Sequence, residues 1–425
     1  MKFYLPYWED KLDPDFDFIA DDFSLGHKES PFNYDKYIHE LISDGIYDGI
    51  LVSLGVFISK MKLNENEGKH DIKGYSDFKS YLRFSESNKP LKLLGDCGAF
   101  NYVNEPEPPE EFNPKRVSYI YNLLKFDYGI SVDHLVIPTI QVKDSEGNTV
   151  KKELTLAEME QRIKISLDNA DEFIKLTSKN KYCYIPIGSA QGYSPETYKK
   201  SVAQLVEMGY DYIALGGLAR SNTKDILSVL KEVAPELRGR NLHLLGVLRP
   251  DSLNEFQKYG VTSFDSASYL RKAWLRSGQN YLCSETNKWY TAIRVPQATS
   301  SRMAKSAALL QKEDEIQTLE RECLDLLRRY DQGEVGVNKV IDTIVYYDSI
   351  LERNGNDGKD LREKYSVTLS EKPWKKCSCE LCSTLGIDIV IFRGTNRNKR
   401  RGFHNTKVFY DILTIFNTSN QEIRI

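Results

Sequence analysis

Over the first two thirds of the chain, short runs of Val, Ile, Leu and Tyr alternate with longer stretches whose apolar residues recur every three to four positions. The short runs predict strands at Lys2–Leu5, Gly49–Leu54, Leu91–Gly95, His134–Pro138, Tyr182–Ile187, Tyr212–Leu215, Leu242–Gly246 and Ser263–Ser266. Between them, Arg116–Leu124, Leu156–Lys175, Glu196–Met208, Thr223–Val233 and Pro250–Tyr259 carry the helical period. Apolar strands separated by helix-length segments read as parallel β/α units. Eight such units within residues 1–299 predict an α/β protein built on a (β/α)8 TIM barrel. An open doubly wound sheet is the other arrangement, but no GxGxxG opens the first unit, so dinucleotide binding has little support.

Several predicted strands end in residues with chemistry: Leu94-Gly95-Asp96-Cys97-Gly98, Ile187-Gly188-Ser189-Ala190-Gln191-Gly192, Ala214-Leu215-Gly216-Gly217-Leu218-Ala219 and Ser263-Phe264-Asp265-Ser266. In a barrel, the C-terminal strand ends converge on one mouth. Glycines there let backbone approach a ligand, and carboxylates there can act as acid, base or nucleophile.

From about residue 300 the pattern changes. Ala304–Tyr330 and Gly336–Glu352 are charged amphipathic stretches, broken off by Asn354-Gly355-Asn356-Asp357-Gly358. Residues 300–370 are therefore read as a helical insertion. Residues 371–425 are read as a zinc-binding subdomain with a basic loop and a C-terminal helix. The zinc reading rests on Cys377, Cys379 and Cys382, followed by His404. Zn²⁺ takes four tetrahedral N and S ligands at structural sites, and four protein ligands leave no position for a catalytic water. The basic loop is Arg393–Arg401, with Arg393, Arg397, Lys399, Arg400 and Arg401 and no acid.

Composition adds limits. With 425 residues, 40% hydrophobic and 28% charged, the chain is globular. Its net charge of −3 excludes a generally cationic nucleic-acid coat but not a local basic groove. No apolar run reaches the roughly 18 residues a spanning helix needs, so no membrane role is expected. The opening MKFYLPYWEDKLDPDFDF is acidic and aromatic, unlike a signal peptide, which predicts a cytoplasmic protein. Four of the seven cysteines are scattered, which argues against a disulfide framework.

Taken in order, these motifs resemble the tRNA-guanine transglycosylases. Gly95-Asp96-Cys97-Gly98-Ala99-Phe100 resembles that family's S-D-S-G-G, and Val132-Asp133-His134-Leu135 its F-D-E-C. Gln191-Gly192 resembles its Q-G turn, and Gly216-Gly217-Leu218-Ala219 its G-G-L-A. Leu245-Gly246-Val247-Leu248-Arg249-Pro250-Asp251 resembles M-G-V-G-x-P-D, Phe264-Asp265-Ser266 resembles F-D-C, and the three cysteines with His404-Asn405 complete the series. Each motif is short; seven in order are specific.

There are departures. Cys97 and Ala99 stand where the family has Ser and Gly, and His134 where Glu is usual. Ala267–Lys272 replaces the basic T-R-x-G-R segment that grips a tRNA anticodon loop, and Cys377 follows Asp265 by 112 positions (377 − 265), longer than in the tRNA enzymes. These departures resemble the branch that inserts 7-deazaguanine bases into DNA in bacterial and phage DNA-modification systems.

The resemblance implies a transferase that exchanges guanine in DNA for a 7-deazaguanine such as 7-cyano-7-deazaguanine. Asp265 would attack C1′ to form a covalent Asp–nucleotide intermediate, and Asp96 would manage the proton on the exchanged bases. Asp133 would accept from the N1–H and N2 amino edge of guanine. Gln191 and the Gly217 N–H, next to Gly216, would read O6, and the Leu218 carbonyl would face the 7-substituent. Cys97 takes the place of a base-binding Ser; with no His paired to it by motif, it is not expected to be a nucleophile. His134 and His243 are expected to be structural. Arg271, Lys272 and Arg276, with Arg397, Lys399, Arg400 and Arg401, would contact phosphates. The target base must leave its stack, and Phe100, Tyr102 and Tyr193 are candidates to stack on it. A partner ATPase is a further expectation. The alternatives are an enzyme acting on tRNA, a non-catalytic nucleic-acid-binding subunit, which the retention of Asp96 and Asp265 counts against, and an unrelated barrel hydrolase.

Overall fold

The computed structural model describes the chain apart from residues 58–61, 65–68, 72–73, 145, 276–277, 299–312, 352–357 and 423–425. Its contacts divide into two units: Met1–Glu9 with Tyr47–Ala267, and Asp10–Ile46 with Ser268–Ile425. The boundary thus falls 32 residues earlier than position 299 (299 − 267), and a segment near the N-terminus joins the second unit.

The first unit is a closed barrel of eight parallel strands. They are β1 (Lys2–Pro6), β2 (Gly49–Ser53), β3 (Lys92–Asp96), β4 (Tyr128–Ile130), β5 (Ile185–Ala190), β6 (Tyr212–Leu215), β7 (Asn241–Leu244) and β8 (Val261–Asp265). They pair in chain order, and β8 closes on β1. Seven lie at or near their expected positions. The fourth is Tyr128–Ile130, not His134–Pro138. Leu135 and Val136 are 4% exposed, yet they lie in the loop after β4. Their apolar run reflects burial, which periodicity alone cannot separate from a strand.

Because alternate strand residues face the same side, one pleat decides what fills the barrel and what lines its mouth. Tyr4, Leu51, Leu94, Ile130, Ile187, Tyr212 and Ala214 form one buried cluster in the interior. Two residues further along their strands, Leu51 gives way to Ser53, Leu94 to Asp96 and Ile187 to Ser189. Register aligns these changes: Ser53 pairs with Asp96, and Ala214 with both Ser189 and His243. The apolar floor and polar rim are thus one alternation read at different heights. Outside the barrel, Leu156–Asn180 starts on a capping box, Thr155 with Glu158, and Thr223–Val233 on an Asn222 cap.

In the second unit, helices Glu313–Gln332, Val337–Ile350 and Gly358–Glu371 occupy the region expected to be helical, while residues 304–312 of the first expected stretch lie outside the described residues. Helix Glu313–Gln332 buries Ile316, Glu320, Cys323, Leu324, Leu327 and Tyr330, a stripe at helical spacing. Of these, Ile316, Cys323, Leu324, Leu327 and Tyr330 pack with Ile341, Ile344, Tyr347, Ile389 and Ile391 into one core. The chain closes on a long helix, Gly394–Glu422. No helix among the described residues is long and apolar enough to cross a membrane.

Candidate active site

Three carboxylates meet at the barrel mouth. Asp96 ends β3 and stays partly open to solvent; Asp133, on the loop after β4, and Asp265, at the end of β8, are 2% and 5% exposed. No Lys or Arg pairs with any of them among the described residues. Instead neutral groups hold them. Asp96 Oδ2 accepts from the Gly98 N–H at 3.0 Å. Asp133 Oδ1 accepts from the Cys97 thiol at 3.2 Å, and its Oδ2 from Ser189 Oγ at 2.7 Å and Gln191 Nε2 at 2.6 Å. Asp265 Oδ1 accepts from the Gly246 N–H at 2.9 Å and lies 3.1 Å from His243 Nε2.

The electrostatic consequence is direct. Burial, with the negative charges of Asp133 and Asp265, pushes the Asp96 carboxyl up to about 7. A carboxyl poised near neutrality can give and take a proton. Burial also raises Asp133, against the opposing bonds from Ser189, Cys97 and Gln191. Cys97 is pushed well up by burial and then by Asp133 and Asp96, which favours the neutral thiol that donates to Asp133.

Two glycines make room for this arrangement. Gly98 has φ +88°, and a Cβ there would lie 2.7 Å from the backbone of Gly55 and from Ser53 Oγ. At Gly216 a Cβ would lie 2.0 Å from Gln191 Nε2 and 3.3 Å from Asp133 Oδ2. The strand end at Gly216 is therefore the surface against which Gln191 and Asp133 rest. Its carbonyl accepts from the Tyr198 hydroxyl at 2.7 Å. Gly217 sits beside it, with Gln191 Oε1 3.2 Å from where its Cβ would be. The Leu218 carbonyl already accepts from the Ser221 N–H at 3.0 Å, closing a turn.

Asp96, Cys97, Asp133, Gln191 and Gly216 thus come together, and Asp265 lies within electrostatic reach of Asp96. Tyr102 is buried, with its hydroxyl donating to the Asp133 carbonyl at 3.0 Å; Phe100 is 58% exposed, and Tyr193 is exposed with its hydroxyl 3.3 Å from Glu160. His134 is a latch. Its Nε2 faces the carbonyls of Glu105 and Pro106, and burial, then Arg162, holds it down at about 4, so it is neutral.

Two contacts around the site escaped the sequence reading. Arg162, 4% exposed, donates to the carbonyls of Val103, Leu135 and Glu105 and fixes the loops that carry the site. Its only sequence signal is a cation on the inward stripe of an amphipathic helix. His243, expected to be structural, is buried with its Nε2 3.1 Å from Asp265 Oδ1; pleat alternation along Leu242-His243-Leu244 would have pointed it inward.

In the second unit, one atom each from Cys377, Cys379, Cys382 and His404 lies within 4.8 Å of all the others, forming a possible metal site. His404 Nδ1 is 3.9, 3.4 and 3.3 Å from the three sulfurs in turn. The S-to-N edge of a Zn²⁺ tetrahedron is about 3.6 Å for the usual bond lengths, so the donor set fits that ion. His404 Nε2 meets the Leu282 carbonyl at 2.7 Å, which leaves Nδ1 free to ligate, and the Tyr281 ring stacks on the imidazole at 4.3 Å.

The basic run does not form a loop. It is the start of helix Gly394–Glu422. Arg397, Arg400 and Arg401 are 1%, 5% and 0% exposed. Arg397 binds Asp21 and, at 3.0 Å, Asp388; Arg400 donates to the Asp13 carbonyl at 2.7 Å; Arg401 donates to the Ala273 and Ile391 carbonyls at 2.6 and 2.9 Å. Lys399 Nζ reaches the Lys11 carbonyl at 2.9 Å. Buried guanidiniums so engaged cannot meet phosphates, so the expected phosphate contacts of this run are corrected: its arginines tie segment Asp10–Ile46 to the helix. Arg271 is exposed, while Lys272 lies with its ammonium 4.1 Å from the Trp289 ring centre and 3.0 Å from Gln279. Arg276 lies outside the described residues.

The fold and mouth define a barrel enzyme with a poised carboxyl beside two further carboxylates. Residues 109–292 match the family described as Queuine tRNA-ribosyltransferase. Over 423 residues, 97% of this chain and 96% of the relative, the chain is 34% identical to a DNA-guanine transglycosylase of Salmonella montevideo. It is also 32% and 33% identical to queuine tRNA-ribosyltransferases of Shewanella loihica and Pasteurella multocida, in each case over 117 residues, 27% of this chain and 30% of the relative. The chain belongs to the tRNA-guanine transglycosylase family. It is a guanine transglycosylase, a pentosyltransferase by reaction class.

Proposed function

We propose that this enzyme exchanges guanine in DNA for a 7-deazaguanine base through a covalent intermediate on Asp265. One observation carries the choice of polymer: similarity to the DNA-guanine transglycosylase runs through both units, whereas similarity to the tRNA enzymes spans about a quarter of the chain. The mouth supports the chemistry. Asp265 attacks C1′ as the bond to the base breaks, and Asp96, poised near neutrality, hands its proton to the departing guanine. Asp96 then takes the proton of the incoming 7-deazaguanine, whose nitrogen attacks C1′ and releases Asp265. Asp133 is a buried carboxylate without a cation, so the N1–H and N2 amino donors of guanine supply what it lacks. Gln191, already against Asp133, reads O6 together with the Gly217 N–H, and Cys97 holds Asp133 in place. Cys377, Cys379, Cys382 and His404 would hold a structural Zn²⁺, which fixes the start of helix Glu380–Leu385 to helix Gly394–Glu422. Arg271 and Lys272 remain as phosphate contacts.

The test incubates the protein with labelled 7-cyano-7-deazaguanine and either plasmid DNA or bulk tRNA, with and without an added ATPase partner. Label is expected in DNA. Label in tRNA alone would overturn the assignment and favour the second reading, which the family description supports.

A further inference from the structure

A line of polar side chains runs through the barrel interior to Asp265. The Tyr212 hydroxyl bonds the Ser263 hydroxyl. Ser263 Oγ lies 2.6 Å from His243 Nδ1, and His243 Nε2 lies 3.1 Å from Asp265 Oδ1. Ser263 and His243 are 1% and 0% exposed. β7 and β8 supply the line through register, since His243 pairs with Ser263 and Asp265 follows one pleat later.

The donors can be assigned in order. An ionised carboxylate only accepts, so His243 Nε2 carries the proton. With a neutral imidazole, Nδ1 then accepts from the Ser263 hydroxyl, whose oxygen accepts from Tyr212. Every donor points toward Asp265. The Gly246 N–H falls on the same oxygen, Oδ1, at 2.9 Å. Oδ1 therefore has two donors, and Oδ2 has none among the described residues.

We propose that His243 is the positioning residue of the nucleophile: it anchors Asp265 Oδ1 so that Oδ2 is the oxygen presented to C1′. This rests on reading Asp265 as the nucleophile. In the first step the Oδ2–C1′ bond forms while the electron pair of the C1′–N bond leaves with guanine, which takes its proton from Asp96. Oδ1 becomes the ester carbonyl and keeps its two donors. In the second step the incoming base displaces Oδ2, and the carboxylate returns to the same anchored geometry. A carboxylate free to rotate would lose part of this advantage, because reactivity falls when the attacking atom is not held in line.

The test uses the full chain, plasmid DNA and no incoming base, and follows the protein–DNA adduct on a denaturing gel. His243→Phe removes the donor, while His243→Gln keeps an N–H at similar reach. Adduct formation is expected to slow about 10- to 100-fold in His243→Phe at saturating DNA, with the DNA concentration for half-maximal rate unchanged, and to recover largely in His243→Gln. Ser263→Ala, which removes only the support of Nδ1, is expected to slow it about 3- to 10-fold and decides the matter if the His243 variants fail to fold. A native rate in His243→Phe, or in Ser263→Ala should it be the variant that decides, overturns the proposal. Equal losses in folded His243→Phe and His243→Gln also overturn it, since packing alone would then explain them. A native protein that forms no adduct overturns the nucleophile reading itself, and this proposal with it.

Discussion

The molecule buries acidic groups in two ways. In the second unit, Asp21 meets Arg393 at 2.7 Å and also pairs with Arg397, while Asp388 meets Arg328 and Arg397 at 3.1 and 3.0 Å. Burial alone would raise Asp21, but the guanidiniums outweigh it and hold its carboxyl below the usual range. At the barrel mouth, Asp96, Asp133 and Asp265 have only neutral donors and a histidine, and Asp96 is driven up to about 7. Compensated charge is architecture. Uncompensated charge in a concave mouth is stored reactivity, available to a substrate that brings donors and a proton acceptor. The contrast teaches that a run of basic residues says less about function than whether its charges are already answered.

The largest effect should come from removing a compensating cation. Three cysteine sulfurs crowded near one imidazole form a donor set that fits a metal, and structural Zn²⁺ sites contribute roughly 10–16 kcal/mol of binding free energy at neutral pH. Cys379→Ser is expected to abolish metal content and lose the order of the Cys377–His404 region. Elemental analysis of the native protein should give one zinc per chain; finding none would break the parallel between the cysteine cluster and the arginine cluster. Arg397→Ala should follow. It leaves Asp21 and Asp388 short of a partner, and breaking a buried pair costs about 3–5 kcal/mol. Urea denaturation should show that loss, while the salt dependence of DNA binding by the folded protein stays native. A variant of native stability with a shallower salt slope would return the run to the role of a DNA grip.

How much of this was legible follows the same division. Strand-end chemistry was readable because the barrel brings its C-terminal strand ends to one mouth, so Asp96, Gln191, Gly216 and Asp265 needed only the β/α rhythm to be brought together. The fourth strand was not, since Tyr128-Gly129-Ile130 is short and the stronger apolar run, Leu135-Val136, belongs to a loop held by Arg162. The arginine run was misread because charge was counted along the chain. Arg393, Arg397, Arg400, Arg401 and His404 step by four, three, one and three, which is one face of a helix. Their acidic partners Asp21 and Asp388 lie far away or in another element, and no local pattern announces them. The contact of His243 with Asp265 was missed for a like reason: its neighbours Leu242 and Leu244 made the strand look uniformly apolar.

The smallest effect is the most discriminating, because its sign is opposite. Asp96 binds its proton more tightly in the folded state than the unfolded one, so the stability it contributes is fully present below about pH 4 and is lost as pH rises toward and through about 7. An asparagine keeps the neutral shape without that loss. Asp96→Asn is therefore expected to stabilise the barrel at pH 8, while exchange falls at least about 10²-fold for want of the proton carrier. A rise from 3.8 to about 7 corresponds to about 4 kcal/mol, and the partial openness of Asp96 brings the expected gain to about 2 kcal/mol. The gain should shrink as pH is lowered from 7 and vanish near 4, where both side chains are neutral. Denaturation of the two proteins across this range measures it directly. If the variant were instead the less stable protein at pH 8, Asp96 would have a compensating partner after all, and the barrel mouth would be built on the same principle as the arginine cluster.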